Sequence, residues 1–116
     1  MGTLLIHLAR GPEDPTRAAL AFLVAKAAQE EGHEVSMFLA GDAVQLLRDA
    51  VLDQLTGLGT GSLRESYDTV VGGGAKLYAS GMSAKARGVE LEGKAEPAMP
   101  NRLVQLVFEH DRVLSY

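Results

Sequence analysis

The sequence predicts a single three-layer α/β domain in which helices cover both faces of a parallel sheet. Short apolar segments alternate with longer amphipathic ones along the chain, which is the pattern of consecutive β-α-β units. The first apolar segment, residues 3–9, is apolar on both faces apart from His7, as expected of a central strand covered on either side. No repeat, linker or low-complexity segment divides the 116 residues, so we expect one domain over residues 1–116.

The first part of the chain contains three elements with recognisable ends. After the strand at residues 3–9, a helix is predicted over residues 15–31, with Asp14 as its cap. Apolar side chains at helical spacing give this helix one wide apolar face. Gly32 ends it in the left-handed conformation, and residues 33–39 form the second strand.

Two further helices and a strand are predicted in the middle of the chain. Asp42 is placed to cap a helix that continues to about residue 55. A Ser-x-x-Glu capping box at residues 62–65 opens the next helix, and the glycines at 72–74 close it. Residues 75–79 then form the third strand.

The C-terminal part is predicted to complete the sheet. A short edge strand is expected within residues 89–96, followed by a turn at the proline-rich residues 97–100. A helix over about residues 101–110 comes next. The last strand, residues 111–116, follows directly.

Composition and charge limit the classes of function. The chain is 47% hydrophobic and 22% charged, as in ordinary globular proteins. Its formal net charge of -4 argues against nucleic acid or an anionic membrane surface as a partner. The longest apolar runs are too short to span a membrane and the N-terminus lacks a signal-peptide pattern, so a cytoplasmic protein is expected. The absence of cysteine excludes disulfides and thiolate zinc sites.

The candidate functional site lies where the predicted strands end. Ligands of open parallel sheets bind beyond the carboxyl ends of the strands, where this chain has glycine, hydroxyl and basic residues. The candidate ligand-binding residues are Gly11, Gly41, Ser80, Gly81, Ser83, Lys85 and Arg87. Backbone amides at the start of a helix near Ser83, together with Lys85 and Arg87, would attract an anion. The alternative is that Ser80 and Ser83 are only turn and cap residues.

No catalytic or metal-binding set accompanies this site. The three histidines, His7, His33 and His110, lack metal-ligand spacing such as HxH or HExxH, so no metal and no other cofactor is expected. His7 lies in a predicted central strand, where a core or interface histidine is expected more than a base. Because no base for Ser80 is identifiable, no catalytic residue is assigned.

Six segments in sequence order resemble the DsrE/DsrF-like proteins, which are relatives of the bacterial sulfur-relay subunits known as DsrEFH. They are residues 6–8, 11–15, 31–35, 38–42, 78–88 and 111–115, so the resemblance covers essentially the whole chain. The most specific segment is 78–88, which reads Tyr-Ala-Ser-Gly-Met-Ser-Ala-Lys-Ala-Arg-Gly.

The resemblance implies a five-stranded, mostly parallel sheet between helices, and a homo-oligomer, often a trimer or hexamer. In the sulfur-relay members, a cysteine at the exit of the strand before a Ser-Ala-Lys-Ala-Arg-like segment carries a persulfide. Ser80 occupies the matching position in this sequence. A serine hydroxyl cannot form a persulfide, and the chain has no cysteine elsewhere.

The leading hypothesis is a binding or scaffolding subunit that is related to intracellular sulfur relay, and without a thiol it is not expected to transfer persulfide sulfur. Its expected partners are copies of itself and other sulfur-relay subunits, and the wide apolar helix faces, with Phe22 and Tyr67 as candidates, favour such packing. The alternative is a small-molecule enzyme or anion-binding protein that uses a pocket around Ser80, with Ser80 or His7 in catalysis. A third alternative is that serine replaces a native cysteine at position 80.

Overall fold

The computed structural model describes residues 1–116 and is built around one five-stranded parallel sheet. Its strands are β1 (Thr3–Leu8), β2 (Glu34–Leu39), β5 (Lys76–Ser80), β6 (Glu96–Ala98) and β7 (Arg112–Ser115), in the spatial order β6-β5-β2-β1-β7. A short antiparallel hairpin consists of β3 (Thr56–Gly57) and β4 (Gly61–Ser62). The helices are α1 (Pro15–Glu30), α2 (Asp49–Gln54), α3 (Leu63–Gly72), α4 (Gly81–Arg87) and α5 (Pro100–Glu109), with a 3-10 helix at Gly41–Leu47. None of these helices is long and apolar enough to cross a membrane.

One face of the sheet carries most of the hydrophobic core. Ile6, Leu8, Met37 and Leu39 project from the two central strands and are fully buried under α1, α3, α4 and the 3-10 segment. Their alternation with residues of the opposite face follows from the two-residue period of a strand. At the centre of the helical layer Phe22 is completely buried.

The two aromatic residues expected at a subunit interface belong to this core. The rings of Phe22 and Tyr67 lie 5.7 Å apart between α1 and α3, and both side chains are buried. The expectation was wrong because a wide apolar face on α1 covers the sheet and α3 at the same time.

The other face of the sheet is covered by a single helix. Leu106 of α5 packs on a small second core formed by Leu5, Phe38, Tyr78 and Ala98. The predicted three-layer α/β/α class is confirmed, with all neighbouring strands of the sheet parallel. Its two helical layers are very unequal, since α5 contributes only ten residues.

The helix predicted from Asp42 to residue 55 is divided into two pieces. The first is the 3-10 helix and the second is α2, and Arg48 between them is extended, with ψ at 129°. With three residues per turn, positions three apart eclipse one another, so Ala43 stacks with Leu46 and Val44 with Leu47. All four side chains are buried.

Three predicted helix caps have different outcomes. Asp14 caps α1, because its side chain accepts a hydrogen bond from the backbone N–H of Arg17. Asp42 does not cap a helix, since its carboxylate pairs with Arg87. Ser62 precedes α3, but its side chain makes no capping hydrogen bond, and its backbone belongs to the β3–β4 hairpin.

The edge strand beside β5 lies later in the chain than predicted. Residues 89–96 form mainly a loop whose Val89 and Leu91 are buried in the core, whereas the strand is Glu96–Ala98. The predicted turn at residues 97–100 is wrong, because Pro97 lies within this strand. Proline has no N–H to donate and is tolerated at a sheet edge, so the sequence signal for a turn was misleading.

The start of β1 is joined to the start of β7 through Asp111. The carboxylate accepts hydrogen bonds from the backbone N–H of Thr3 at 2.9 Å and from its hydroxyl at 3.3 Å. These bonds to the charged form lower the pKa of Asp111 from its ordinary value near 3.8.

This lowered pKa predicts a loss of stability in acid. A carboxyl whose folded pKa is depressed contributes stability above its unfolded pKa, and the contribution disappears as the pH falls through the folded pKa. We expect the melting temperature of wild type to exceed that of Asp111→Asn above about pH 4, with the difference vanishing in stronger acid. Thermal unfolding of both proteins across this pH range tests the prediction, and a pH-independent difference would contradict it.

Candidate functional site

The loops that follow β1 and β2 make a very close contact at the carboxyl edge of the sheet. A Cβ atom added at Gly11 would overlap the backbone carbonyl group of Asp42, lying 2.6 Å from its carbon. Gly41, in the second loop, has a φ of 57°, in the left-handed region that favours glycine. Backbone packing therefore explains Gly11, and the left-handed backbone conformation explains Gly41.

Ser80 is the last residue of β5 and the N-cap residue of α4. Its Oγ accepts a hydrogen bond from the backbone N–H of Ser83 at 3.1 Å, which satisfies one of the unpaired amides at the helix start. Ser83 in turn connects α4 to the loop after β2, because its Oγ accepts a hydrogen bond from the N–H of Gly41 at 2.9 Å. The cap interpretation of both serines thus has direct support in their hydrogen bonds.

The two basic candidates differ in their surroundings. Nε of Arg87 lies 2.9 Å from the Asp42 carboxylate, and a second guanidinium nitrogen donates to the carbonyl of Ser83 at 3.3 Å. Lys85 is exposed and makes no ion pair within the chain. Arg87 therefore holds the α4 region against the loop after β2, and Lys85 is the cation that remains available to an anion.

The predicted site residues come together, but the surface around them is shallow. Gly11, Gly41, Ser80, Ser83 and Arg87 are joined directly or through Asp42. Gly81 follows Ser80 directly, and a Cβ added at Gly81 would lie 3.9 Å from the carbonyl oxygen of Ala98 on the edge strand. The cavities of the chain are lined by other residues. Ligand binding at this edge remains a prediction.

The histidine proposed as an alternative base is placed apart from Ser80. His7 lies on β1 and Ser80 on β5, with β2 between these strands, so the imidazole and the hydroxyl are not in hydrogen-bond reach. Partial burial lowers the pKa of His7, and its ring makes an edge contact with Phe38 at 6.1 Å between centroids. His7 is thus half-buried on a face of the sheet, where the sequence predicted a core or interface histidine.

A cavity lies at the opposite, amino end of the sheet, where the sequence predicted no site. It has a volume of about 530 Å³ and its lining includes Ser36, Lys76 and Arg102. The signal available in the sequence was a serine and a lysine in otherwise apolar strands. Their proximity could not be read from the sequence because it depends on the register between β2 and β5.

The sequence comparison decides the family. The sequence model described as the DsrE/DsrF-like family matches residues 3–116. The chain belongs to the DsrE/DsrF-like family. The family resemblance inferred from residues 78–88 and the other segments is thereby confirmed, and the family is one related to sulfur relay.

Solved structures show the same fold for this DsrE/DsrF-like protein. The crystal structure of the ychN protein from E. coli superposes with a TM-score of 0.82 at 18% identity, covering 100% of both chains. A conserved protein of unknown function, BT1422 from Bacteroides thetaiotaomicron, gives a TM-score of 0.73 at 14% identity, covering 99% of this chain and 95% of the other. A search of curated proteins finds no match. At these identities the likeness concerns the fold alone.

Proposed function

We propose that this DsrE/DsrF-like protein is a scaffolding subunit related to intracellular sulfur relay, without a persulfide-carrying residue of its own. The chain contains no cysteine, so none of its side chains can hold a persulfide. Its role is then to assemble, with copies of itself as a trimer or hexamer and with other sulfur-relay subunits. The main support is the outer face of α5.

The outer face of α5 carries an apolar stripe of three residues. Val104, Val107 and Phe108 are spaced i, i+3 and i+4, so they share one side of the helix, while Leu106 faces the sheet. Val104 is 56% exposed and Phe108 is 86% exposed. Exposed aromatic and aliphatic side chains grouped in this way are typical of interaction surfaces.

The charge distribution of α5 favours a second copy of the chain as the occupant. Identical surfaces that meet repel each other where they carry unpaired charge. On α5 the charges of Arg102 and Glu109 pair with each other at 3.3 Å, on a different side of the helix from the stripe. The stripe itself is uncharged, so burying it against an identical stripe costs no desolvated ion. A standard interface takes roughly 800 Å² from each partner, so the stripe would form the centre of a larger contact.

Replacing Phe108 by aspartate should dissociate the oligomer. Exposed aromatic residues at the centre of an interface are frequent hot spots, so the dissociation constant should rise about 30-fold or more. Size-exclusion chromatography with light scattering, over a concentration series, measures the change. The fold should survive, because the side chain is almost fully exposed in the single chain.

Leu58→Asp is the matched control for this experiment. Leu58 is 92% exposed, like Phe108, but lies alone in the loop between β3 and β4. The Leu58→Asp substitution introduces the same charge as Phe108→Asp and should leave the oligomer intact. A wild-type protein that stays monomeric at high concentration, or equal effects of both substitutions, would count against the proposed assembly.

A further inference from the structure

We propose that the cavity at the amino end of the sheet is a binding site for the phosphate or carboxylate group of a small molecule. The cavity lies between α5 and the first residues of β2 and β5, at the end opposite Ser80. Its volume of about 530 Å³ falls in the usual range of small-molecule sites. The site is independent of the proposed scaffolding role.

The cavity exists because a small residue occupies a position in the covered face of the sheet. Ser36 on β2 pairs in register with Lys76 on β5. Two residues further along the same strands, Phe38 pairs with Tyr78. Phe38 and Tyr78 fill the space under Leu106 of α5. Ser36 is only 9% exposed and has a short side chain, so the space beneath the C-terminal half of α5 stays unfilled.

Two cations line this space, and one of them is held in place. Lys76 makes no ion pair within the chain. The guanidinium of Arg102 stands 5.4 Å from the centre of the Tyr78 ring. One of its terminal nitrogens donates to Gln105 at 3.2 Å and to Glu109 at 3.3 Å, and the guanidinium also interacts with the Tyr78 hydroxyl, so only part of its N–H groups is left for a ligand. An oriented guanidinium and an unpaired ammonium in the lining of the same cavity are suitable donors for an oxyanion.

The remaining charged and titratable groups of the lining leave these two donors available. Glu109 pairs with Arg102, and Glu34, which is exposed like Lys76, adds a second carboxylate to the lining. His33 accepts the backbone N–H of Gly2 at its Nδ1, so its Nε2 carries the proton and can donate. Nδ1 of His110 lies 2.6 Å from the carbonyl oxygen of Leu106, which makes this nitrogen the donor of that bond. The lining thus carries two basic and two acidic side chains, so an oxyanion would be held by hydrogen bonds from Lys76 and Arg102 and not by a net positive charge.

Inorganic phosphate is the probe for the first experiment, and acetate is the second. Isothermal titration at constant ionic strength should show saturable binding of at least one of them to wild type. Lys76→Gln removes a charge that no internal partner needs, so it should weaken binding about tenfold without changing the melting temperature. The stronger of the two ligands shows which oxyanion the site prefers.

Two matched variants complete the test. Lys26→Gln on α1 makes the same change in net charge at a lysine that also lacks an ion pair, and it should leave affinity unchanged. Ser36→Phe should place a ring in the unfilled space beneath α5 and weaken binding, and its melting temperature shows whether the fold is kept. The proposal is overturned if neither anion binds saturably, or if Lys76→Gln and Lys26→Gln behave alike. It is also overturned if Lys85→Gln alone abolishes binding, because the anion then sits at the Ser80 edge.

Discussion

Gly11→Ala is expected to destabilise the protein by about 3 kcal/mol or more, because two backbone segments would have to move apart. The added methyl carbon would overlap the carbonyl group of Asp42, and neither loop can yield by rotating a side chain. A local hydrogen bond also restrains the backbone of Gly11, since its N–H donates to the Glu13 carboxylate at 2.8 Å. Chemical denaturation monitored by circular dichroism gives the free energy of unfolding directly.

Gly72→Ala provides the control for this prediction. Gly72 is the last residue of α3 and has no atom within 4 Å of the position of an added Cβ. Alanine there should be neutral or stabilise by up to about 1 kcal/mol, because alanine favours helix more than glycine does. If Gly11→Ala unfolded at the same denaturant concentration as Gly72→Ala, the close contact between the two loops would not exist in solution.

Ser80→Cys is expected to convert a protein that accepts no sulfur into one that does. Wild type has no thiol, so a low-molecular-weight persulfide donor should leave it unlabelled. In the variant, the Cys thiolate would attack the outer sulfur of the donor. The remainder of the donor leaves as a thiolate, and the cysteine becomes a persulfide. The N–H of Ser83 points at the atom that would become sulfur, and an amide in this position stabilises a thiolate. Mass spectrometry detects the added sulfur.

Ser62→Cys separates a general effect of a surface thiol from an effect of the site. Ser62 also precedes a helix, but its side chain accepts no capping hydrogen bond, so a cysteine there lacks the amide donor. The thiol at position 80 should have the lower pKa of the two, which the pH dependence of alkylation measures. Equal pKa values would contradict the role assigned to the Ser83 amide, and labelled wild type would contradict the thiol-free assignment.

The outer boundaries of the elements were largely predictable. α1 begins directly after Asp14, the residue that the sequence indicated as its cap. The alternation of apolar and amphipathic segments correctly predicted an α/β fold with a parallel sheet. Periodicity is a local property, so a single sequence contains it. The prediction failed where local signals were overridden: Asp42 pairs with Arg87, and Pro97 lies in a strand. A capping motif or a turn motif does not show which distant segment will use the same residue.

Long-range ion pairs illustrate the same limit. Arg64 on α3 contacts Asp49 at 3.0 Å and Asp53 at 2.9 Å, both on α2, as well as Asp68 one turn along its own helix. These contacts require α2 and α3 to lie side by side, which follows from the packing of both helices in the core. Charge and composition alone could not associate these residues.

By itself, the sequence determined the α/β class, the family segment at residues 78–88 and the absence of any thiol. These are properties of residue identity and local spacing, which can be read directly from the sequence. Only the tertiary structure decided that α5 alone covers one face of the sheet and that Ser36 and Lys76 line a cavity beneath it. Strand order and register bring such residues together, and they result from the packing of the whole core. The serine at position 80 could therefore be identified from the sequence, whereas the exposed stripe of α5 and the cavity could be identified only from the folded structure.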